Sequence, residues 1–245
     1  MSVDQALGRA AGADSLLVVC DYDGTIAPLV DDPAAAVPDP LAIEHLAALA
    51  RLESTEVALL SGRALSVLAS LSGAPIGVHL IGSHGAEASD EEPAPRSPDL
   101  DTALQQFVEV GSRFPGSRVE EKPMGVAFHY RTVSLDRQPS AAEAAEAVAG
   151  RFPDLKSIHG KRVVELTAPG VGKGEAVEYL RARFAANVVV FMGDDVTDED
   201  GFAVLRPEDV GVKVGSGLTA AEFRVDDTAA ATELLGRIRA LRSAR

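Results

Sequence analysis

Short apolar runs rich in β-branched residues, separated by stretches of helical period, leave this chain few folds to choose from. The runs are "SLLVVC" (15–20), "EVALLS" (56–61), "GVHLIG" (77–82), "NVVVFM" (187–192) and "DVGVKV" (209–214). They are nearly continuous in apolar side chains, so strands formed from them must be covered on both faces. Between them, "PLAIEHLAALARLE" (40–53) spaces Leu41, Leu46, Leu49 and Leu52 along one helical face, and 172–185 and 228–242 follow the same period. Strands alternating with helices predict a parallel sheet with helices on both sides. In such α/β sheets, ligands sit outside the carboxyl ends of the strands.

The middle of the chain breaks this rhythm. "SDEEPAPRSPDLD" (89–101) is rich in proline and acid and reads as a linker. A helix follows over about 100–114, then "SRVEEKPMGVAFHYRTV" (117–133), two strands around a tight turn at Pro123–Gly125. A second helix over about 139–151 precedes a second hairpin, 155–169, with Gly160 at its turn. Helix, hairpin, helix, hairpin predicts a small α/β layer inserted into the larger sheet. The expected division is 1–92 and 168–245 for a Rossmann-like core and 93–167 for the insert.

The strand tips carry the chemistry. Asp21 ends the first run and Asp23 lies two positions on, in "DYDGT". In near-extended backbone both carboxylates point into one space, which is costly unless a cation or a proton neutralises one of them. Ser61 stands at the second tip, in "LLSGR", and Lys173 stands between glycines at a helix start, in "GVGKGEAV". "GDDVTDED" sets Asp194, Asp195 and Asp198 just past another apolar strand. Each piece has an ordinary reading: a surface turn, a helix cap, a solvated lysine. Five carboxylates within seven residues (194–200) at one tip are harder to explain without a hard cation such as Mg²⁺. Two carboxylates, a hydroxyl, an ammonium and an acidic cluster form an inventory for phosphoryl transfer through an aspartyl-phosphate.

"DYDGT", "LSGR", "GKG" and "GDDVTDED", in that order, resemble the four motifs of the haloacid-dehalogenase-like (HAD-like) phosphatases. The insert falls between the second and third motifs, where that superfamily places its C2-type cap. A closer resemblance is to trehalose-6-phosphate phosphatases, through "DYDGTIAPLVDDP", "IGSHGAE", "VEEKPMGVAFHYR" and "GKRVVELTAPGVGKGEAV". It implies a HAD-like α/β core with an α/β cap, and Mg²⁺-dependent hydrolysis of trehalose 6-phosphate. Asp21 would be nucleophile and metal ligand. Asp23 would be general acid and base, and its carbonyl a metal ligand. Thr25 and Gly24 would shape the turn, and Ser61 and Lys173 would bind phosphoryl oxygens. Asp194 would complete the metal site, with either Asp195 or Asp198. Glu120, Lys122 and Glu165 on the cap hairpins would read the sugar, with Gly62, Arg63, His84, His129 and Arg131 as further substrate contacts. His129 and Arg131, alternating with Tyr130, are expected on one side of a strand.

A net charge of −14 argues against nucleic acid or an anionic membrane surface as the main partner. No apolar run approaches the ~18 residues of a membrane helix. The first fifteen residues hold no apolar signal region, and Cys20 is the lone cysteine, which together point to the cytoplasm. A trehalose-6-phosphate synthase is the expected functional partner. The rival readings are a phosphatase for sucrose 6-phosphate or a mannosyl phosphate, a phosphomutase, a non-catalytic sugar-phosphate sensor and a receiver-type signalling domain.

Overall fold

A computed structural model describes residues 1–30, 32–90, 96–160 and 162–245. From the amino terminus run α1 (Val3–Ala11), β1 (Leu16–Asp21), α2 (Pro40–Leu49), β2 (Thr55–Leu60), α3 (Leu65–Ser72), β3 (Val78–Gly82) and the short β4 (Glu87–Ala88). Next come α4 (Pro98–Arg113), β5 (Arg118–Lys122), β6 (Gly125–His129), α5 (Gln138–Ala149), β7 (Lys156–Gly160) and β8 (Val163–Thr167). The last six are α6 (Lys173–Arg183), β9 (Val188–Gly193), α7 (Val196–Ala203), β10 (Val210–Val214), β11 (Phe223–Val225) and α8 (Thr228–Ser243). The chain forms two compact units, Met1–Glu92 with Gly172–Arg245, and Pro93–Val171.

The first unit is built on a sheet of order β11-β10-β9-β1-β2-β3-β4, parallel except for the β3–β4 pair. β1 lies at its centre with all six residues buried. Alternation along β1 sends Val18 and Cys20 into a core beneath α1, α2 and α8, and Leu17 and Val19 into a second core beneath α6 and α7. Such two-sided burial is why the strands read as unbroken apolar runs. β4 and β11 are too short to announce themselves in sequence. α1 had no sequence reading, yet Ser2 and Gln5 form a reciprocal capping box at its start. One expectation is corrected in α2. The buried stripe is Ala42, Leu46 and Leu49, while Leu41 is 47% exposed. Leu41 lies one position off the i, i+4, i+7 row and so turns roughly 100° from it.

The second unit has an antiparallel sheet of order β5-β6-β8-β7. Val126, Phe128, Val164 and Leu166 are buried, and Phe107 of α4 stacks on Phe128 at 5.7 Å between ring centroids. Residues 91–95 of the acidic stretch and Lys161 of the second hairpin's turn lie outside the described residues. The described part of that stretch is not all linker. Ser97 caps α4, with Pro98 in its first turn and Asp99 and Asp101 favouring the positive end of the helix dipole. Among the described residues no helix is long and apolar enough to cross a membrane.

Candidate active site

Parallel register gathers the motif tips on one edge of the first unit's sheet. Asp21 of β1 lies opposite Leu60 of β2, which puts Ser61 at the neighbouring tip. On the other side Cys20 pairs with Met192, so Asp194 follows β9 next to Asp21. After Asp21 the chain reverses, with the Gly24 N–H donating to Ala27 O at 2.7 Å. Gly24 has φ +75°, and a Cβ there would lie 2.1 Å from Asp194 Oδ2. Only glycine satisfies both the dihedral and the close approach.

Lys173, the first residue of α6, is 3% exposed and donates to Asp21 Oδ1 and Asp198 Oδ1, both at 2.6 Å. Burial alone would lower its pKa, but the two carboxylates outweigh burial and raise it, so the ammonium stays charged. Thr25 Oγ1 donates to Asp21 Oδ2 at 3.3 Å. Burial pushes the Asp21 carboxyl well upward; Lys173 opposes this, while Asp198 and Asp194 add to it. Burial, with Asp198 and Asp195 nearby, also pushes Asp194 up to about 6.

Asp21, Asp194 and Asp198 each offer a carboxylate oxygen, and these atoms lie within 4.8 Å of one another. Three hard oxygens crowded against their own repulsion, with raised proton affinity at two of them, match what a small divalent cation needs. Asp195 is exposed and outside this group. Asp198 is fully buried, and its Oδ2 accepts the N–H groups of Asp194 and Asp195 at 3.0 and 2.9 Å. Of the two aspartates left open in sequence, Asp198 is the one whose carboxylate joins this group.

Asp23 is held elsewhere. Arg63 Nε and Nη2 donate to its two oxygens at 2.7 and 2.6 Å, a bidentate pair. Arg63, expected on substrate, thus engages the second carboxylate of the motif. Ser61 is buried, and its Oγ accepts the Arg63 N–H at 3.1 Å. His84 packs on Gly62, where a Cβ would lie 2.5 Å from the His84 ring. Ser83 and His84 both adopt positive φ, 49° and 57°. Glu87 steadies this corner, accepting from Ser83 Oγ at 2.5 Å and from Leu65 N–H at 3.1 Å.

In the second unit, register aligns Glu120, Ala127 and Glu165 across three strands. Lys122 Nζ donates to both oxygens of Glu165 at 2.7 and 2.6 Å. His129 Nε2 lies 2.8 Å from Glu120 Oε2, and that hydrogen bond is the main reason the Glu120 pKa falls to about 2. β6 ends at His129, and Arg131 sits exposed in the turn beyond it. Strand alternation therefore does not extend to Arg131, and the expected pairing of its side with His129 lapses. Sequence reading also passed over Arg96, which donates to the carbonyls of Lys122 and Pro123 and so braces the first hairpin's turn. A basic residue inside an acidic, proline-rich stretch was the available signal.

A mostly parallel sheet with an acidic cluster at its carboxyl edge, and an inserted α/β unit, define a HAD-like α/β protein. The trehalose-phosphatase family model matches residues 19–232, and the chain belongs to that family. The trehalose-phosphate phosphatase of Mycobacterium marinum is 36% identical over 96% of this chain, which spans 64% of that relative's length. A bifunctional trehalose-6-phosphate synthase/phosphatase of Thermoproteus tenax is 34% identical over 98% of this chain and 34% of its own. The trehalose-6-phosphate phosphatase structure of Aspergillus fumigatus superposes with a TM-score of 0.76 at 27% identity, covering 100% of this chain and 98% of the other.

Proposed function

We propose that this chain hydrolyses trehalose 6-phosphate to trehalose and inorganic phosphate, with Mg²⁺, through an aspartyl-phosphate on Asp21. The observation that carries the reading is the buried Asp21 carboxylate in contact with Lys173, its oxygens clustered with those of Asp194 and Asp198. Family membership and the names of the curated relatives support the choice of substrate.

An Asp21 oxygen attacks phosphorus as the ester bond to the sugar oxygen breaks, and Asp23 gives its proton to that oxygen. Trehalose leaves. Asp23, now ionised, takes a proton from water, whose oxygen attacks phosphorus. The bond to Asp21 breaks, which restores its carboxylate and frees phosphate. Before the first step Asp23 must leave Arg63 and take up a proton, because the bidentate pair occupies both its oxygens. Ser61 and the charged Lys173 bind phosphoryl oxygens. Asp21, the Asp23 carbonyl, Asp194 and Asp198 would hold the Mg²⁺, which when bound would draw off negative charge building on the phosphoryl group.

The inserted unit is read as a C2-type cap that selects the sugar. Glu120 and Glu165 offer paired acceptors to hydroxyls, and Lys122 offers a donor. The bifunctional Thermoproteus tenax relative supports a synthase as the source of substrate. The lone Cys20, with no internal partner to pair with, supports a cytoplasmic site of action.

The test is phosphate release from trehalose 6-phosphate, glucose 6-phosphate, sucrose 6-phosphate and a mannosyl phosphate, each with and without EDTA. Trehalose 6-phosphate should be preferred by at least ~10-fold, and EDTA should abolish turnover. Asp21→Asn should fold and be inert; an active Asp21→Asn enzyme refutes the nucleophile. Preference for another ester reassigns the substrate.

A further inference from the structure

Lys213 is a buried ammonium to which the chemistry above gives no task. It sits on β10 opposite Gly193 of β9 and is 3% exposed. Its Nζ donates to the main-chain carbonyl of Asp194 at 2.5 Å and reaches that of Asp195 at 3.4 Å. Glu199 Oε1 lies 3.6 Å away. The N–H groups of the same two residues donate to Asp198 Oδ2, and Asp198 Oδ1 accepts from Lys173. The N–H groups of residues 194 and 195 thus end on Asp198 and their carbonyls on Lys213, the Asp195 carbonyl accepting also from the Asp198 N–H at 3.2 Å. On its far side the Asp194 carboxylate meets Gly24, where no Cβ would fit. The carboxylate has a pinned base and a wall.

We infer that Lys213 is a positioning residue for Asp194: by gripping the peptide carbonyls it sets the carboxylate for a divalent cation and strengthens the site's affinity. The inference rests on the metal role proposed above for Asp21, Asp194 and Asp198. Charge alone argues the other way, since an ammonium beside a cation site repels the cation. That repulsion is blunted here, because Lys213 is committed to two carbonyl dipoles and lies close to Glu199. Loss of the grip would take the Lys213 donor from the part-buried Asp194 carbonyl and let the loop re-form around it. Partners that orient a metal ligand commonly contribute 10–100-fold in affinity. The two effects differ in sign, so they can be separated.

The experiment titrates Mn²⁺ into the full chain by calorimetry, at a temperature well below every variant's Tm, with Asp194→Asn as the blank. Lys213→Met and Lys213→Gln both remove the charge, and Gln keeps one short donor, so either variant that folds carries the test. Positioning predicts a Kd roughly 10–100-fold weaker for Met and a smaller loss for Gln. Turnover of an aryl phosphate should fall at low Mg²⁺ and recover at saturating Mg²⁺, which a merely structural defect would not do. Unchanged or tighter Mn²⁺ binding in the variants overturns the inference alone. A wild type that takes up no more Mn²⁺ than Asp194→Asn overturns the metal reading, and this inference with it.

Discussion

Asp194 answers to two opposed demands. Folding raises its carboxyl from an ordinary 3.8 to about 6, because it is partly buried beside Asp198 and Asp195. Between those values the folded protein holds a proton that the unfolded chain has lost, so stability falls as pH rises through that window. Above it, without metal, the ionised carboxylate is a net cost, moderated by its partial exposure. Asp194→Asn is accordingly expected to raise the Tm of EDTA-treated protein by about 2–4 °C near neutral pH. The gain should fade as pH falls toward the ordinary value. Excess Mg²⁺ should reverse the order, stabilising wild type and not the variant. Calorimetric scans at several pH values, with and without metal, check both. A variant less stable than wild type in EDTA near neutral pH would show that the carboxylate's repulsion is already relieved within the fold.

At the scale of elements, one side chain of α8 ties three segments together away from the site. Arg242 in its last turn is 5% exposed. It donates to the carbonyls of Ala11 and Ser54 and to Thr55 Oγ1, at 2.9, 2.7 and 2.9 Å. One side chain therefore closes the end of α1 and the start of β2 against α8. Arg242→Ala would strand several carbonyls, a loss of about 2–4 kcal/mol. Tm should drop by about 5–12 °C. Because the motif tips lie at the opposite ends of the strands, kcat/KM measured well below Tm should stay within about twofold. A large fall in kcat/KM with Tm unchanged would contradict this division between framework and site.

Across the whole molecule, two units with separate cores separate two tasks. The first holds every group proposed for phosphoryl transfer; the second holds Glu120, Lys122 and Glu165. Truncating any of these three is expected to reduce kcat/KM for trehalose 6-phosphate by roughly 10–100-fold. Turnover of a small aryl phosphate should change by less than about threefold. Equal losses on both substrates would mean that the second unit does not select the sugar. Lys122 and Glu165 are also each other's partners, so Lys122→Met with Glu165→Leu in a double-mutant cycle separates sugar recognition from their mutual pairing.

Local pattern determined a great deal of this. Continuous apolar runs meant two-sided burial, and their alternation with helical stretches meant a parallel sheet between helices. Asp21, Ser61, Lys173 and Asp194 were legible as tip residues for the same reason: each follows a buried run or opens a glycine-flanked helix. Only tertiary structure sets Asp198, and not Asp195, beside Asp21 and Asp194, since both lie at α7's start and only packing buries one. It also paired Asp23 with Arg63, ended β6 before Arg131, and gave Lys213 its two carbonyls. Those are contacts between residues far apart in the chain, or strand ends fixed by a neighbour's register. Periodicity reports which face of an element is buried, but it cannot report what that face, or the strand's last residue, will meet.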